Sequence, residues 1–330
     1  MGARMLVPGG LGLLVVVLFC ASIAVGYAPL DLRAAFGDLV AGRPSLSALV
    51  LAELRLPRAI LGAAVGFSLG ITGAALQGLM RNPLADPGVV GVSGSAALGA
   101  VLTFYFGVSA TFALALPLGG LAGAAAATAV LLALAARGAG TVVLILAGVA
   151  LSSLAGALTA LALNLAPSPY AALELVFWLM GSLSDRSLDH VALALPFMAA
   201  GWLLVLRTGP ALDALTLGEE AATSLGFPLR RVRLLVIGGT AAAVGASVAV
   251  AGAIGFVGLV VPHLVRPLVG HRPGRLLLAS GLAGAALTLG ADIVVRLIPT
   301  RPELKLGVVT ALIGAPFFLF LLARLKGTEA

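Results

Sequence analysis

The chain has 330 residues, 61% hydrophobic and 10% charged, with a mean hydropathy of +1.15. A soluble domain carries about 25% charged residues, so a water-soluble fold is excluded and most of this surface must face lipid. The net charge of +7 comes from basic residues set singly in links between apolar runs, which reflects membrane topology and not nucleic-acid binding.

Backbone groups in lipid must be satisfied internally, by helices or a closed barrel. The apolar runs are long and do not alternate, which selects helices. The first predicted crossing is 6–28. Arg4 followed by Leu11–Cys20 has the outline of a signal peptide, and Cys20 that of a lipoprotein site. Phe19 is too bulky for such cleavage and the apolar run continues to Ala28, so a retained first helix is expected. Cys20 is the sole cysteine, which excludes an internal disulfide and a Cys-based metal site.

A charged link, 29–57, has room for a short surface helix. Crossings are predicted at 58–80, 89–107, 112–136 and 141–165. The apolar stretch Ala171–Leu183 is too short to span and reads as a re-entrant or interfacial helix. Further crossings follow at 188–207, 234–250, 253–268, 276–298 and 306–324. The expected fold is an all-α polytopic bundle of about ten transmembrane helices, one domain over 1–330. An even count puts both termini on one side, and the excess of Lys and Arg makes that side the cytoplasm. Beyond Arg33, Arg43, Arg55 and Arg58, the external basic residues are Arg186, Arg296, Arg301 and Lys305.

Gly62, Gly66 and Gly70 share one face of the second crossing, as Gly119 and Gly123 do in the fourth. Small residues at this spacing let helix backbones approach closely. Pro117, Pro196, Pro262 and Pro316 are expected to interrupt helices.

No G-x-x-x-x-G-K-[ST] sequence occurs, so the chain carries no standard phosphate loop. Ion-coupled carriers keep ionisable groups at mid-membrane, and here they are nearly missing. Asp292 is the exception, with Arg296 one turn later as its i,i+4 partner. Within the polar interlude 208–233, acids at Glu219 and Glu220 and a terminal Gly226 predict a short cytoplasmic helix of about two turns. Ala221, Ala222 and Leu225 would form its apolar face. His190, His263 and His271 are scattered, without the carboxylate or Cys spacing that a metal site needs. Nor does a Ser/His/Asp or paired-carboxylate set point to catalysis.

Several segments together carry a family resemblance. They are Leu54–Leu98, Phe177–Leu183, Leu217–Gly226, Gly255–Arg266, Asp292 with Arg296, and Gly307–Phe318. In this order they resemble the FecCD-type membrane permeases of ABC importers for ferric siderophores, haem and vitamin B12. The resemblance implies a homodimer with its pathway on the two-fold axis, two cytoplasmic ATPase subunits that hold the ATP and Mg, and a periplasmic substrate-binding protein. No cofactor is implied on this chain. Residues 212–226 resemble the family's coupling segment, with Leu217, Gly218, Glu219, Glu220, Ala221, Leu225 and Gly226 as its core. Arg55 and Arg58 match the family's docking arginines by position, and Arg296 more loosely. Arg81, Asn82, Pro83 and Asp86 lie in a loop that would meet the ATPase. The fifth and tenth crossings and the Tyr170–Leu183 helix would line the pathway. Lys305, where the family usually has Pro, and Pro267 depart from its pattern. The function implied is import of haem or a ferric siderophore by alternating access across a bacterial inner membrane. A cobalamin permease of the same family is the alternative. An ATP-independent secondary transporter, a channel and an intramembrane enzyme are the rival classes.

Overall fold

The computed structural model describes residues 2–26, 30–300 and 302–326, with side chains described at 6–26, 30–88, 90–300 and 302–320. The end of the first expected crossing (Ala28), the start of the first link (Pro29) and Arg301 lie outside the described residues. The molecule is an all-helical, multi-pass membrane protein. Its elements are α1 Gly2–Ala24, α2 Leu32–Val40, α3 Leu46–Met80, α4 Val92–Tyr105, α5 Ala115–Ala136, α6 Thr141–Asn164 and α7 Pro169–Leu179. They continue as α8 Leu188–Leu206, α9 Gly209–Leu215, α10 Glu219–Ser224, α11 Leu229–Ala251, α12 Val257–Val269, α13 Pro273–Leu297 and α14 Leu306–Lys326.

Among the described residues, seven helices are long and apolar enough to cross a membrane: α1, α3, α5, α6, α8, α11 and α13. The third and eighth expected crossings are shorter helices, α4 with 14 residues and α12 with 13. At 1.5 Å per residue α12 is about 20 Å long, less than the hydrocarbon thickness. The tenth, α14, has 21 residues. The re-entrant expectation at 171–183 corresponds to α7, only 11 residues long and capped by Ser168, whose Oγ accepts from the Ala171 N–H at 3.2 Å.

Helix α3 is the axis of the fold. It starts twelve residues before the expected crossing, capped by Ser45 and continued through a π-helical turn at Val50–Arg55. It stops at Arg81, whose φ of 46° turns the chain left-handed before Pro83 forbids further helix. α13, α11, α12, α8 and α1 pack around it. The expected glycine face lies against α13. A Cβ on Gly66 would overlap the Gly284 carbonyl, and one on Gly70 the Ser280 carbonyl. Gly123 of α5 meets α4 in the same way, through the Ser95 carbonyl. Trp202 of α8 donates to Ser68 Oγ of α3 at 2.8 Å. Pro196, Pro262 and Pro316 do sit inside helices. Pro117 instead falls in the first turn of α5, where no backbone donor is missed. Pro267 lies inside α12, which runs on to Val269.

Between α11 and α12 the backbone is not helical. Gly252 has φ 70° and Phe256 φ 67°. The Ser182 N–H donates to the Ala251 carbonyl at 2.7 Å, and the Gly307 N–H to Gly181 O at 3.4 Å. The turn after α7, the α11–α12 break and the start of α14 therefore satisfy one another's backbone. Irregular backbone at membrane depth is tolerated only inside protein or beside a cavity.

Candidate functional site

Three regions of the bundle gather the residues singled out by the sequence. Near the N-terminal end of α3, the outer end in the expected orientation, Arg58 is the hub. Its Nε donates to both Asp292 oxygens, at 3.0 and 3.1 Å, and its Nη2 to Oδ1 at 2.8 Å. The same guanidinium pairs with the Glu303 carboxylate, with Nη1 3.3 Å from Oε2. Ser184 Oγ donates to Glu303 Oε2 at 2.9 Å. Burial pushes the Glu303 carboxyl up, but hydrogen bonds and charge from Arg58, with help from Ser184, hold it below its ordinary value. The expected Asp292–Arg296 pair forms at 2.9 Å.

Arg55 and Arg296 have a different task from Arg58. Arg55 Nη1 donates to Ile23 O and Ala24 O, at 2.9 and 2.8 Å. Arg296 Nη1 donates to Ser22 O and Val25 O, both at 2.7 Å, and its Nη2 to Ser22 Oγ at 2.6 Å. The last carbonyls of a helix lack intrahelical partners and carry partial negative charge. Two arginines from α3 and α13 supply both needs at the end of α1. Each is only 6% exposed, so direct recognition of an external partner falls less to them than to their neighbours. An outer cavity of about 300 Å³ is lined by Arg55, Arg58, Arg296, Ser184, Arg186 and Glu303. Sequence reasoning counted Arg186 only as an external charge and missed Glu303 and Ser184. Arg186 keeps a buried Nε without a hydrogen-bond partner, and burial pulls its pKa down against the influence of Asp185.

The second region is a groove of about 510 Å³ lined by Met180, Ala253, Gly307, Val308, Ala311, Leu312, Ala315 and Pro316. Its walls are the irregular backbone described above and one face of α14, and they are almost wholly apolar. Lys305, at the start of this face, lies 5.4 Å from the Phe177 ring centroid, a cation–π distance. It ties the segment before α14 to α7.

The third region is cytoplasmic in the expected orientation. α10 has six residues, fewer than the two turns expected, between Gly218 at φ 110° and Gly226 at φ 88°. Its expected apolar face divides. Ala222 is fully buried against the bundle, whereas Leu217 and Leu225 are 71% and 62% exposed. Ala221 is half-buried. Glu219 pairs with Arg233 of α11 at 2.9 Å, and Arg233 Nε also donates to Thr141 Oγ1 of α6 at 3.3 Å. Glu220 is exposed. Beside α10, Asn82 Oδ1 accepts from the Leu84 N–H at 2.9 Å and Asp86 Oδ1 from the Gly88 N–H at 2.8 Å. These bonds fold the 81–91 loop back on itself, with Arg81, Asn82 and Pro83 exposed. Burial pushes the Asp86 carboxyl up, partly offset by the Gly88 N–H.

The histidines serve locally. His190 Nδ1 accepts from the Ser187 N–H at 3.3 Å, closing the start of α8. His263 Nδ1 lies 2.9 Å from the Leu259 carbonyl. Among the described residues, no three His, Cys, Asp or Glu side chains stand together as a metal site would require.

Comparison with known proteins extends this picture. The profile of the FecCD transport family matches residues 14–324. A cobalamin import system permease protein of Halobacterium salinarum is 41% identical over 284 residues, covering 85% of this chain and 75% of that protein. A vitamin B12 import system permease protein of Vibrio cholerae is 43% identical over 281 residues, covering 85% and 84%. Among solved structures, an inward-facing conformation of a putative metal-chelate type ABC transporter superposes with a TM-score of 0.84 at 31% identity. It covers 96% of this chain and 98% of that one.

Proposed function

The chain belongs to the FecCD transport family, and from that premise we propose that it is the membrane subunit of an ATP-driven importer for a corrinoid of the cobalamin type. As a family member it is a transport permease and not itself an enzyme. The observation that carries the substrate reading is the similarity to permeases named for cobalamin and vitamin B12 in separate organisms, each over more than four-fifths of this chain. The iron-chelate expectation, haem or a ferric siderophore, rested on family frequency and has less support. The wider class of metal chelates stays as a second reading, because the metal-chelate type transporter matches nearly the whole chain.

The geometry supports a division of labour. ATP and Mg reside on two partner ATPases, which seat against α10 through Leu217, Leu225 and Glu220, with Gly218 and Gly226 setting its ends. Asn82, Pro83 and Asp86 of the neighbouring loop extend that seat. A binding protein docks over the outer cavity, where Arg186 meets its carboxylates while Arg58, Arg55 and Arg296 hold the rim. Two copies face each other across the apolar groove of α14, which forms the pathway wall. Such a wall gives a large solute passage without tight binding, and selectivity rests with the binding protein. The chain resides in the cytoplasmic membrane with both termini inside. The rival ATP-independent carrier has little support, since the described crossings hold almost no ionisable groups away from the outer network.

Absorption spectroscopy and mass analysis of the compound carried by the cognate binding protein test the substrate. A corrinoid is expected. Haem or a ferric siderophore in its place would overturn the substrate and leave the permease reading standing.

A further inference from the structure

A basic cavity lies at the inner end of α3, beside the loop that extends the proposed ATPase seat. It encloses about 310 Å³ and is lined by Gln77, Arg81, Pro83, Thr216, Arg266 and His271, among others. No carboxylate is among its lining residues. The nearest acids along the chain are engaged elsewhere. Asp213 Oδ1 accepts from the Gly274 N–H at 2.7 Å, and Asp86 from Gly88.

The cavity is built and not incidental. Gln77 is 4% exposed. Its Nε2 lies 3.4 Å from the carbonyls of Ala85, Gly258 and Leu259, so it fastens the 81–91 loop to the start of α12. Its Oε1 accepts from Arg266 Nη2 at 2.8 Å. Arg266 is thereby held in place with most of its five N–H donors left over. Among the described residues, the Arg81 side chain and the His271 ring make no hydrogen bond. The held guanidinium of Arg266, with that of Arg81 on the same wall and no carboxylate among the lining residues, selects an oxyanion, and a planar carboxylate is its best geometric match.

We propose that this cavity takes an acidic side chain of the partner ATPase, giving that subunit a second anchor beside α10. The inference rests on the permease reading above. Two observations favour a protein carboxylate over an anionic lipid headgroup. Among the described spans α3 is the most buried, with 83% of its apolar segment inside the bundle. Its end therefore opens in the middle of the cytoplasmic face and not at the lipid-facing rim. Thr216 also places the cavity wall three residues before Glu219, so both anchors share one surface. Because α3 runs unbroken from the outer Arg58 network to this cavity, the anchor grips the element that reaches both faces.

The test uses the full-length permease in nanodiscs and the ATPase subunit that purifies with it, titrated across a salt series. Arg81→Gln with Arg266→Gln is expected to weaken association on the order of tenfold and to flatten its salt dependence. Arg81→Lys, which keeps the charge but loses the planar fork, should fall between wild type and the double variant, and elution as a monodisperse dimer shows that the double variant is folded. Undiminished affinity in the double variant, while Leu217→Asp with Leu225→Asp still releases the ATPase, would overturn the second anchor and leave the permease reading intact. A loss seen only in phosphatidylglycerol nanodiscs, and not in phosphatidylcholine, would assign the cavity to a headgroup and overturn the proposal. If wild-type permease binds no ATPase at all, the permease reading itself fails.

Discussion

Arg296 donates to three acceptors at the end of α1 and neutralises Asp292, which is 1% exposed. Asp292 keeps Arg58 as a partner when Arg296 is removed, so the cost lies at the end of α1, where buried carbonyls left without a donor lose about 1–3 kcal/mol each. Arg296→Gln should therefore lower the unfolding temperature of the detergent-solubilised protein by an amount corresponding to that loss. Arg186→Gln should leave it unchanged while weakening the binding protein. Equal stability of Arg296→Gln and wild type would contradict the clamp. The Glu303 link has a pH signature. Its carboxyl is held below the ordinary 4.5, so its contribution is present above that value and fades as pH falls through the lowered one. Wild type should be more stable than Glu303→Gln at about pH 6, and the difference should close on acidification below the ordinary carboxylate range. A pH-independent difference would remove the charge from the explanation. The sequence singled out Arg55, Arg58 and Arg296 but not Arg186, which lines the same cavity. It could not show that two of them face inward, because their acceptors are backbone carbonyls of a helix some thirty or more residues away.

Periodicity and length were sufficient, at the scale of elements, to find the seven long apolar helices and to place the shorter α4, α7, α12 and α14. They missed the true start of α3, because Glu53 and Arg55 look like link residues until a π turn places them on a helix. They also began the eighth crossing at 253, four residues before α12, since Ala253–Phe256 is apolar enough to read as helix although the break is marked by positive φ at Gly252 and Phe256. The α10 face was misjudged for a similar reason. Its residue types were right, but neighbouring helices decided that Ala222 turns inward and Leu225 outward. Two consequences are measurable. Gly70→Leu should cost at least about 2 kcal/mol by forcing α3 and α13 apart, seen as a lowered unfolding temperature. A neutral result would deny the close contact. Leu217→Asp with Leu225→Asp should release the ATPase without changing the unfolding temperature, because both side chains already face solvent. Retained ATPase stoichiometry would move the docking face elsewhere.

For the whole molecule, the central feature is one buried helix with an ion network at its outer end and a basic cavity at its inner end. The surrounding bundle leaves an apolar groove on α14, the proposed pathway wall. The overall class was legible from composition alone, since so apolar a chain has few folds open to it. Substrate was not, because an apolar wall names none, and here the relatives and not the residues favour a corrinoid. The most direct measurement is uptake of radiolabelled cyanocobalamin into proteoliposomes that contain the permease and its ATPase, with binding protein added outside. The account predicts accumulation that requires ATP hydrolysis and the binding protein together and is lost in the Leu217→Asp, Leu225→Asp variant. Accumulation without the ATPase, or accumulation of a ferric siderophore with none of the corrinoid, would contradict it.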